Sequence, residues 1–72
     1  MMGSMQEISV GPDGIRLGQL LKLANLVESG GEVRPLLAQG GVTVNGAVET
    51  RRRAQLQAGD VMAIGDSQIK IT

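Results

Sequence analysis

Residues 42–49 place an Asn-Gly pair between two short apolar segments, and this pattern leaves little choice of local structure. Val42-Thr43-Val44 alternates apolar and polar side chains, and Ala47-Val48-Glu49 follows the pair. Asn45-Gly46 suits the positive φ angles of a two-residue hairpin turn, whose twist matches that of the flanking strands. We therefore predict a tight β-hairpin with Asn45 and Gly46 at its centre.

Further strands are predicted on both sides of this hairpin. Ile8 and Val10 alternate with polar neighbours and are followed by the turn-forming residues 11–14. After a turn at residues 58–60, residues 61–64 and 67–71 read as strands joined by Gly65-Asp66, which suits a type II′ turn. The predicted order of elements, with two helices before the hairpin, is β-α-α-β-β-β-β.

The first helix is predicted from Leu17 onward, because apolar residues recur there every three or four positions. The residues with this spacing are Leu17, Leu20, Leu21 and Ala24, and Leu23 widens the stripe. Asn25 can adopt the left-handed conformation that ends a helix. The apolar Leu26 and Val27 are then expected to pack back onto its last turn.

The second helix is predicted to begin at Ser29, because Ser29-Gly30-Gly31-Glu32 has the spacing of a capping box. Its apolar residues are Val33, Leu36 and Leu37, and Gly40-Gly41 can accept the positive φ of a helix terminus. Pro35 lacks an amide donor, so we expect a kink or an irregular first turn near it.

The chain has 72 residues and contains no Phe, Trp or Tyr, so aliphatic side chains must build one small core. The elements predict an α+β fold with two short helices packed on a small, mostly antiparallel sheet of four to five strands. We expect one domain over residues 6–72. Residues 1–5 are interpreted as a possible tag or a disordered start.

Composition excludes several classes of function. The chain has no Cys and no His, which removes thiol nucleophiles, the usual zinc ligands and the commonest general base. Glu28 and Glu32 have a capping explanation and no partner nucleophile, so we expect no enzyme, no metal and no cofactor. No apolar run reaches the roughly 20 residues of a membrane span, and the expected location is cytoplasmic.

The motifs from Ile15 to Gly46 resemble those of the S4 RNA-binding domain. They are Arg16-Leu17 at the first helix, Ser29 and Arg34 at the second, then Gly40 and Val44-Asn45-Gly46, with Gly59-Asp60 following later. Residues 20–23, 28–31 and 46–51 also look like the bacterial stand-alone proteins of this family. The resemblance covers about residues 8–72 and implies the αL motif and binding to RNA.

The sequence departs from the family pattern at three positions. Gly18 stands where Asp is common, Gly30 where the second helix commonly has Arg, and Thr43 where a basic residue is frequent. Each of these losses weakens the expected RNA surface. The fold depends on apolar pattern and turns, so the fold prediction is unaffected.

The main candidate RNA contacts are the contiguous Arg51, Arg52 and Arg53, because net charge is zero and no other basic cluster exists. In an extended segment Arg51 and Arg53 would project to one side and Arg52 to the other. A guanidinium can bind a phosphate with two hydrogen bonds or stack on an unpaired base. The alternative is a solvated loop.

Weaker candidates lie on the helices and the hairpin. Arg34, with Ser29 and Gly30 at the start of the second helix, could receive a phosphate, unless Glu32 occupies that helix end. Arg16 and Lys22 lie six residues apart and are expected on different helical faces. Asn45 is first a turn residue, and an RNA contact from its amide is secondary. Lys70 is expected to aid solubility or to protect an edge strand.

The sequence thus predicts a non-catalytic monomer that binds structured RNA, ribosomal or transfer RNA, mainly through backbone phosphates. Without aromatic residues, it should read the shape of the backbone and not the bases. The alternative is a protein-interaction module of the same fold in a ribosome-associated or RNA-modifying assembly. A contiguous basic surface would favour RNA, whereas a large exposed apolar patch would favour protein.

Overall fold

A computed structural model describes residues 4–72 of the chain. Two short helices pack on one face of a five-stranded mixed sheet with the order β1-β7-β6-β3-β4, and β2 and β5 form a separate two-stranded sheet. The elements are β1 (Ser4–Ile8), β2 (Ile15–Arg16), α1 (Leu17–Leu23), a 3₁₀ turn (Gly30–Glu32), α2 (Val33–Ala38), β3 (Val42–Val44), β4 (Ala47–Val48), β5 (Gln55–Leu56), β6 (Val61–Ile64) and β7 (Ser67–Ile71). This architecture confirms the predicted fold class.

The first strand lies earlier in the chain than predicted. It ends at Ile8 and pairs in parallel with β7, from Ser4 opposite Ser67 to Ile8 opposite Ile71. Val10 lies beyond it, and its amide still donates to the carbonyl of Thr72 at 3.0 Å. The predicted tag or disordered start covers residues 1–3, outside the described residues, and also Ser4 and Met5, which belong to β1.

The two-stranded sheet was missed by the sequence analysis. Ile15 pairs with Leu56 and Arg16 with Gln55, so this sheet joins the residue before α1 to the segment after the arginines. Each of its strands has two residues, too few to show an alternating pattern.

The first helix ends as predicted. Asn25 has φ +60°, and its amide donates to the carbonyl of Lys22 at 3.1 Å. The amide of Leu26 donates to the carbonyl of Leu21 at 2.9 Å. These two bonds form a Schellman motif, and Leu26 and Val27 pack against the core. The inclusion of Leu23 in the buried stripe was wrong, since its side chain is 60% exposed.

The second helix begins with an irregular turn, as Pro35 led us to expect. Residues Gly30–Glu32 form a 3₁₀ turn, and the α-helix proper starts at Val33. Pro35 is therefore the third residue of α2, where an amide has no partner within the helix. The missing amide hydrogen of Pro35 therefore costs little at this position. At the other end of the helix, Gly40 ends the segment with φ +74°.

The hairpin and its turn are confirmed. Thr43 pairs with Val48 and Val44 with Ala47, and both central residues have positive φ, +53° at Asn45 and +87° at Gly46. The turn between β6 and β7 has positive φ at Gly65 only, which fits the predicted type II′.

The core lies between the helices and one face of the sheet. Its buried residues are Leu17, Leu20, Leu21, Val33, Leu37, Val42, Leu56, Met62, Ile69 and Ile71. Gln68 and Lys70 alternate with Ile69 and Ile71 along β7 and lie exposed on the opposite face. The edge-strand role predicted for Lys70 was wrong, because β7 lies between β1 and β6.

Candidate nucleic-acid interface

The three arginines lie in a tight turn that is attached to the start of α1. The amide of Ala54 donates to the carbonyl of Arg51 at 3.1 Å, which closes the turn. The carbonyl of Arg52 accepts from the Gly18 amide at 2.9 Å and that of Ala54 from the Leu17 amide at 2.9 Å. The turn thereby satisfies the first free amides of the helix.

This turn corrects the extended conformation assumed for the arginines. Because residues 51–54 turn, side chains do not alternate as they would along a strand. Arg52 and Arg53 share one pocket, while Arg51 is not among its lining residues.

The pocket lies between α1, the 3₁₀ turn and the arginine turn, and has a volume of about 300 Å³. Its lining residues are Arg16, Gly18, Gln19, Lys22, Gly30, Val33, Arg52 and Arg53. Four of the chain's seven basic side chains line it, and none of the seven acidic ones does. We call this site the basic pocket. A neutral chain therefore presents a local positive field there.

Arg16 and Lys22 line the same pocket, although six residues on a helix were expected to separate their faces. Arg16 itself is not part of the helix. It has φ −80° and ψ 148° at the N-cap of α1, so the angular spacing of a helix does not apply to it. Both side chains are exposed and long enough to reach a ligand in the pocket.

Arg51 does not line the basic pocket and forms an ion pair with Glu49. Its Nε donates to Glu49 Oε2 at 3.1 Å, and its backbone amide donates to the same oxygen at 3.0 Å. The side-chain hydrogen bond from Arg51 is the largest cause that lowers the pKa of Glu49, and the same bond raises the pKa of Arg51. Glu49 thus neutralises one member of the arginine cluster.

Arg34 and Ser29 also lie outside the lining of the basic pocket. Arg34 is exposed on α2, and Ser29 stands at the N-cap of the 3₁₀ turn next to Gly30. The Glu32 carboxylate accepts from the amides of Glu28 and Ser29, at 3.3 Å from the latter. A negative charge therefore occupies the end of the segment at which a phosphate was considered.

Asn45 uses its side chain within the protein. Its Nδ2 donates to Asp60 Oδ1 at 3.0 Å, and its Oδ1 accepts from the amide of Val61 at 3.0 Å. Both polar atoms of the side chain are engaged, so a structural role accounts for this residue.

Gln19 and Val33 are pocket residues that the sequence analysis did not select, and Gly18 was noted only as a departure. Gln19 lies three residues before Lys22 on α1, a spacing that could have indicated a shared side for these two residues. Its Oε1 accepts from the backbone amide of Arg16 at 3.3 Å. A Cβ at Gly18 would lie 3.4 Å from the Arg52 carbonyl oxygen, an ordinary contact, so the approach of the arginine turn does not itself require glycine at this position.

Two features are absent from residues 4–72. Three or more Asp or Glu side chains never cluster closely enough there to hold a metal ion. Within the same residues, every helix is too short and too polar to cross a membrane.

A small α+β fold with four of its seven basic side chains gathered in one pocket is typical of small nucleic-acid-binding modules. Comparison with known proteins specifies this class. The model of the S4 domain family matches residues 8–72, and the chain therefore belongs to the S4 domain family of RNA-binding modules.

Similar proteins are of comparable size. The probable ribosome maturation protein RlbA of Bacillus subtilis is 42% identical over 57 residues, which cover 79% of this chain and 80% of that protein. The putative RNA-binding protein YbcJ of Escherichia coli is 37% identical over 57 residues, 79% of this chain and 81% of that one. The solution structure of YbcJ, described as having an αL motif involved in RNA binding, matches with a TM-score of 0.72 and 34% identity over 100% of this chain and 92% of YbcJ.

Proposed function

We propose that this chain is a non-catalytic module that binds structured RNA through backbone phosphates at the basic pocket. The observation that carries the proposal is the uneven charge of a neutral protein. Four basic side chains meet at one site, namely Arg16, Lys22, Arg52 and Arg53. Among residues 4–72, no acidic side chain lines this site. Such a site attracts a polyanion locally although the whole molecule does not.

The arrangement of the pocket supports phosphate binding. Arginine presents a planar set of donors that fits two phosphate oxygens, and lysine adds a mobile point charge. The backbone bonds between the arginine turn and α1 fix the Cα positions of Arg52 and Arg53 relative to Arg16. The module would therefore read the spacing of phosphates in a folded RNA.

The RNA that we favour is ribosomal. One relative is named a probable ribosome maturation protein, and another a putative RNA-binding protein. Transfer RNA is the alternative that the same chemistry allows, since its backbone carries the same phosphates. A role on ribosomal RNA implies a cytoplasmic location in a bacterium, and we propose binding as a monomer.

We propose positioning as the whole contribution of this module, without a chemical step. The chain has no His or Cys, and the acidic side chains Glu32, Glu49 and Asp60 accept hydrogen bonds within the protein. Where an RNA is modified in an assembly that contains this module, another chain would perform the reaction.

The test is an NMR titration of the labelled protein with a structured fragment of ribosomal RNA. We expect the largest shifts at Gly18, Gln19 and Gly30 and in the arginine turn, with little change at Lys70 on the open sheet face. Shifts confined to other surfaces, or no shift at any RNA concentration, would contradict the proposal. Transfer RNA in a second titration distinguishes between the two RNA classes.

A second candidate function is protein docking, and one surface favours it. An open groove of about 290 Å³ beside α2 is lined by Leu26, Val27, Glu32, Pro35, Leu36 and Gln39. By contrast, the exposed large apolar residues Met5, Leu23 and Val48 lie on three separate elements, as single apolar residues commonly do. In an NMR titration, resonances of the groove residues that shift when a ribosomal protein is added, and do not shift when RNA is added, would support docking.

A further inference from the structure

The polar side chains around the basic pocket offer mainly hydrogen-bond donors. Arginine and lysine cannot accept a hydrogen bond. Gln19 can accept through Oε1, but one lone pair of that atom already accepts from the Arg16 amide at 3.3 Å, and its NH₂ group adds two more donors. The side chains that line the pocket therefore favour a ligand group that presents hydrogen-bond acceptors.

The site is also concave, which phosphate binding alone does not require. Two of its lining residues, Gly18 and Gly30, have no side chain, and an added Cβ at Gly30 would meet no atom within 4 Å. The resulting volume of about 300 Å³ is at the small end of the range typical of ligand pockets. A group that projects from an RNA could enter it.

An unpaired base is the group of RNA that fits such a pocket. Proteins receive unpaired bases by stacking them on aromatic rings or on the planar guanidinium of arginine, with polar groups reading the base edge. This chain has no aromatic residue, but Arg16, Arg52 and Arg53 bring three guanidinium groups to the pocket.

We propose, on the basis of the proposed function, that the basic pocket receives one unpaired nucleotide of the RNA and prefers guanine to adenine. Guanine presents two adjacent acceptors, O6 and N7, which match two donors of one arginine guanidinium. Adenine replaces O6 by an amino group, a donor that would face donors in this pocket. This base preference goes beyond the indifference to sequence that the lack of aromatic residues predicted.

The first experiment compares three short RNA hairpins that differ at one position: a bulged guanosine, a bulged adenosine and no bulge. We expect the bulged guanosine to bind about fivefold or more tightly than the bulged adenosine, the low end of discrimination by one bidentate pair. Equal affinities for all three hairpins would overturn the inference and leave RNA binding intact. Failure to bind any of them would instead count against the proposed function.

Two matched glycine variants test whether the base enters the pocket. Gly30→Leu adds a neutral side chain at the pocket wall, whereas Gly31→Leu adds the same side chain at the neighbouring exposed residue, which does not line the pocket. We expect Gly30→Leu to lose the advantage of the bulged guanosine while it still binds the hairpin without a bulge. Gly31→Leu should behave as wild type. The same effect from both variants, with folding checked by circular dichroism, would refute entry into the pocket.

Gln19→Glu tests whether the predominance of donors in the lining selects the base. The new carboxylate can still accept from the Arg16 amide, but it replaces the NH₂ donor by an acceptor. Because the added negative charge weakens binding to every hairpin, the readout is the ratio of the affinities for the two bulges. We expect this ratio to fall towards one, and an unchanged ratio would exclude Gln19 from reading the base.

Discussion

The Asn45 side chain connects the β3–β4 hairpin to the start of β6 through the carboxylate of Asp60. Asn45 Nδ2 donates to Asp60 Oδ1 at 3.0 Å, and the other carboxylate oxygen of Asp60 accepts from the amide of Gln57 at 2.8 Å. Two turns that are 15 residues apart are thus fixed to each other by one carboxylate. The turn residue of the hairpin is therefore also a tertiary contact.

The first prediction separates these two roles of Asn45. Asn45→Gly keeps the positive φ accessible and removes the side-chain bonds, so it should lower the free energy of unfolding by about 1 kcal/mol. Asn45→Ala removes the same bonds and adds the cost of a left-handed residue, roughly 1 kcal/mol more. Urea denaturation measures both variants, and equal losses would show that the backbone conformation contributes nothing.

The second prediction concerns acid stability. The hydrogen bond from the Gln57 amide, followed by that from Asn45, lowers the pKa of Asp60 below its ordinary value. A carboxylate with a lowered pKa stabilises the fold fully above its unfolded pKa of about 3.9, and this stabilisation is lost as the pH falls through the lower folded pKa. Asp60→Asn should therefore reduce the loss of stability between about pH 4 and pH 2, measured by urea denaturation at each pH. Parallel curves for the two proteins would contradict this assignment.

The third prediction concerns the start of the second helix. The Glu32 carboxylate accepts from two backbone amides, whereas the Ser29 hydroxyl faces the Glu32 amide without meeting hydrogen-bond geometry. Glu32→Ala should therefore cost about 1 kcal/mol and Ser29→Ala less than about 0.5 kcal/mol, below the usual cost for a serine cap. Denaturant midpoints that rank the two variants in the opposite order would show that the hydroxyl is the main cap.

The local elements were predictable because short-range chemistry determines them. Asn45-Gly46 specifies its turn through backbone φ alone, Asn25 ends α1 in the same way, and Pro35 requires an irregular first turn. The strand β1 could not be bounded correctly, because its partner is β7, more than 60 residues later, and Ser4–Ile8 has little apolar pattern of its own.

The basic pocket was predicted only in part, for a similar reason. The sequence indicated Arg16, Lys22, Arg52 and Arg53 separately, with Lys22 given little weight. Their meeting depends on backbone bonds between residues 17–18 and 52–54, which no periodic pattern encodes. The pairing of Arg51 with Glu49 was also unforeseen, although the two residues are neighbours in sequence.

The fourth prediction concerns this ion pair. Glu49→Gln removes the negative charge that pairs with Arg51 and should free its guanidinium for RNA. We expect tighter RNA binding and a steeper dependence on salt. The slope of the logarithm of the affinity against the logarithm of the salt concentration should steepen by about 0.9, the increment for one added phosphate contact. The double variant Glu49→Gln/Arg51→Ala is the control and should lose this gain. The double variant has the net charge of wild type, so an affinity gain that persists in it would show that Arg51 is not the source of the gain.

The central claim is that the basic pocket, and not the charge of the whole protein, binds RNA. Its most direct test is a salt series of RNA affinities for wild type, Arg52→Ala/Arg53→Ala and Arg34→Ala/Lys70→Ala, two variants with the same change in net charge. With four phosphate contacts, the RNA affinity of wild type should fall on the order of a hundredfold between roughly 50 and 200 mM salt. The affinity of Arg52→Ala/Arg53→Ala, with two contacts left, should fall only about tenfold. The control variant should retain the wild-type slope. Equal losses of slope in both double variants would contradict a localised RNA site.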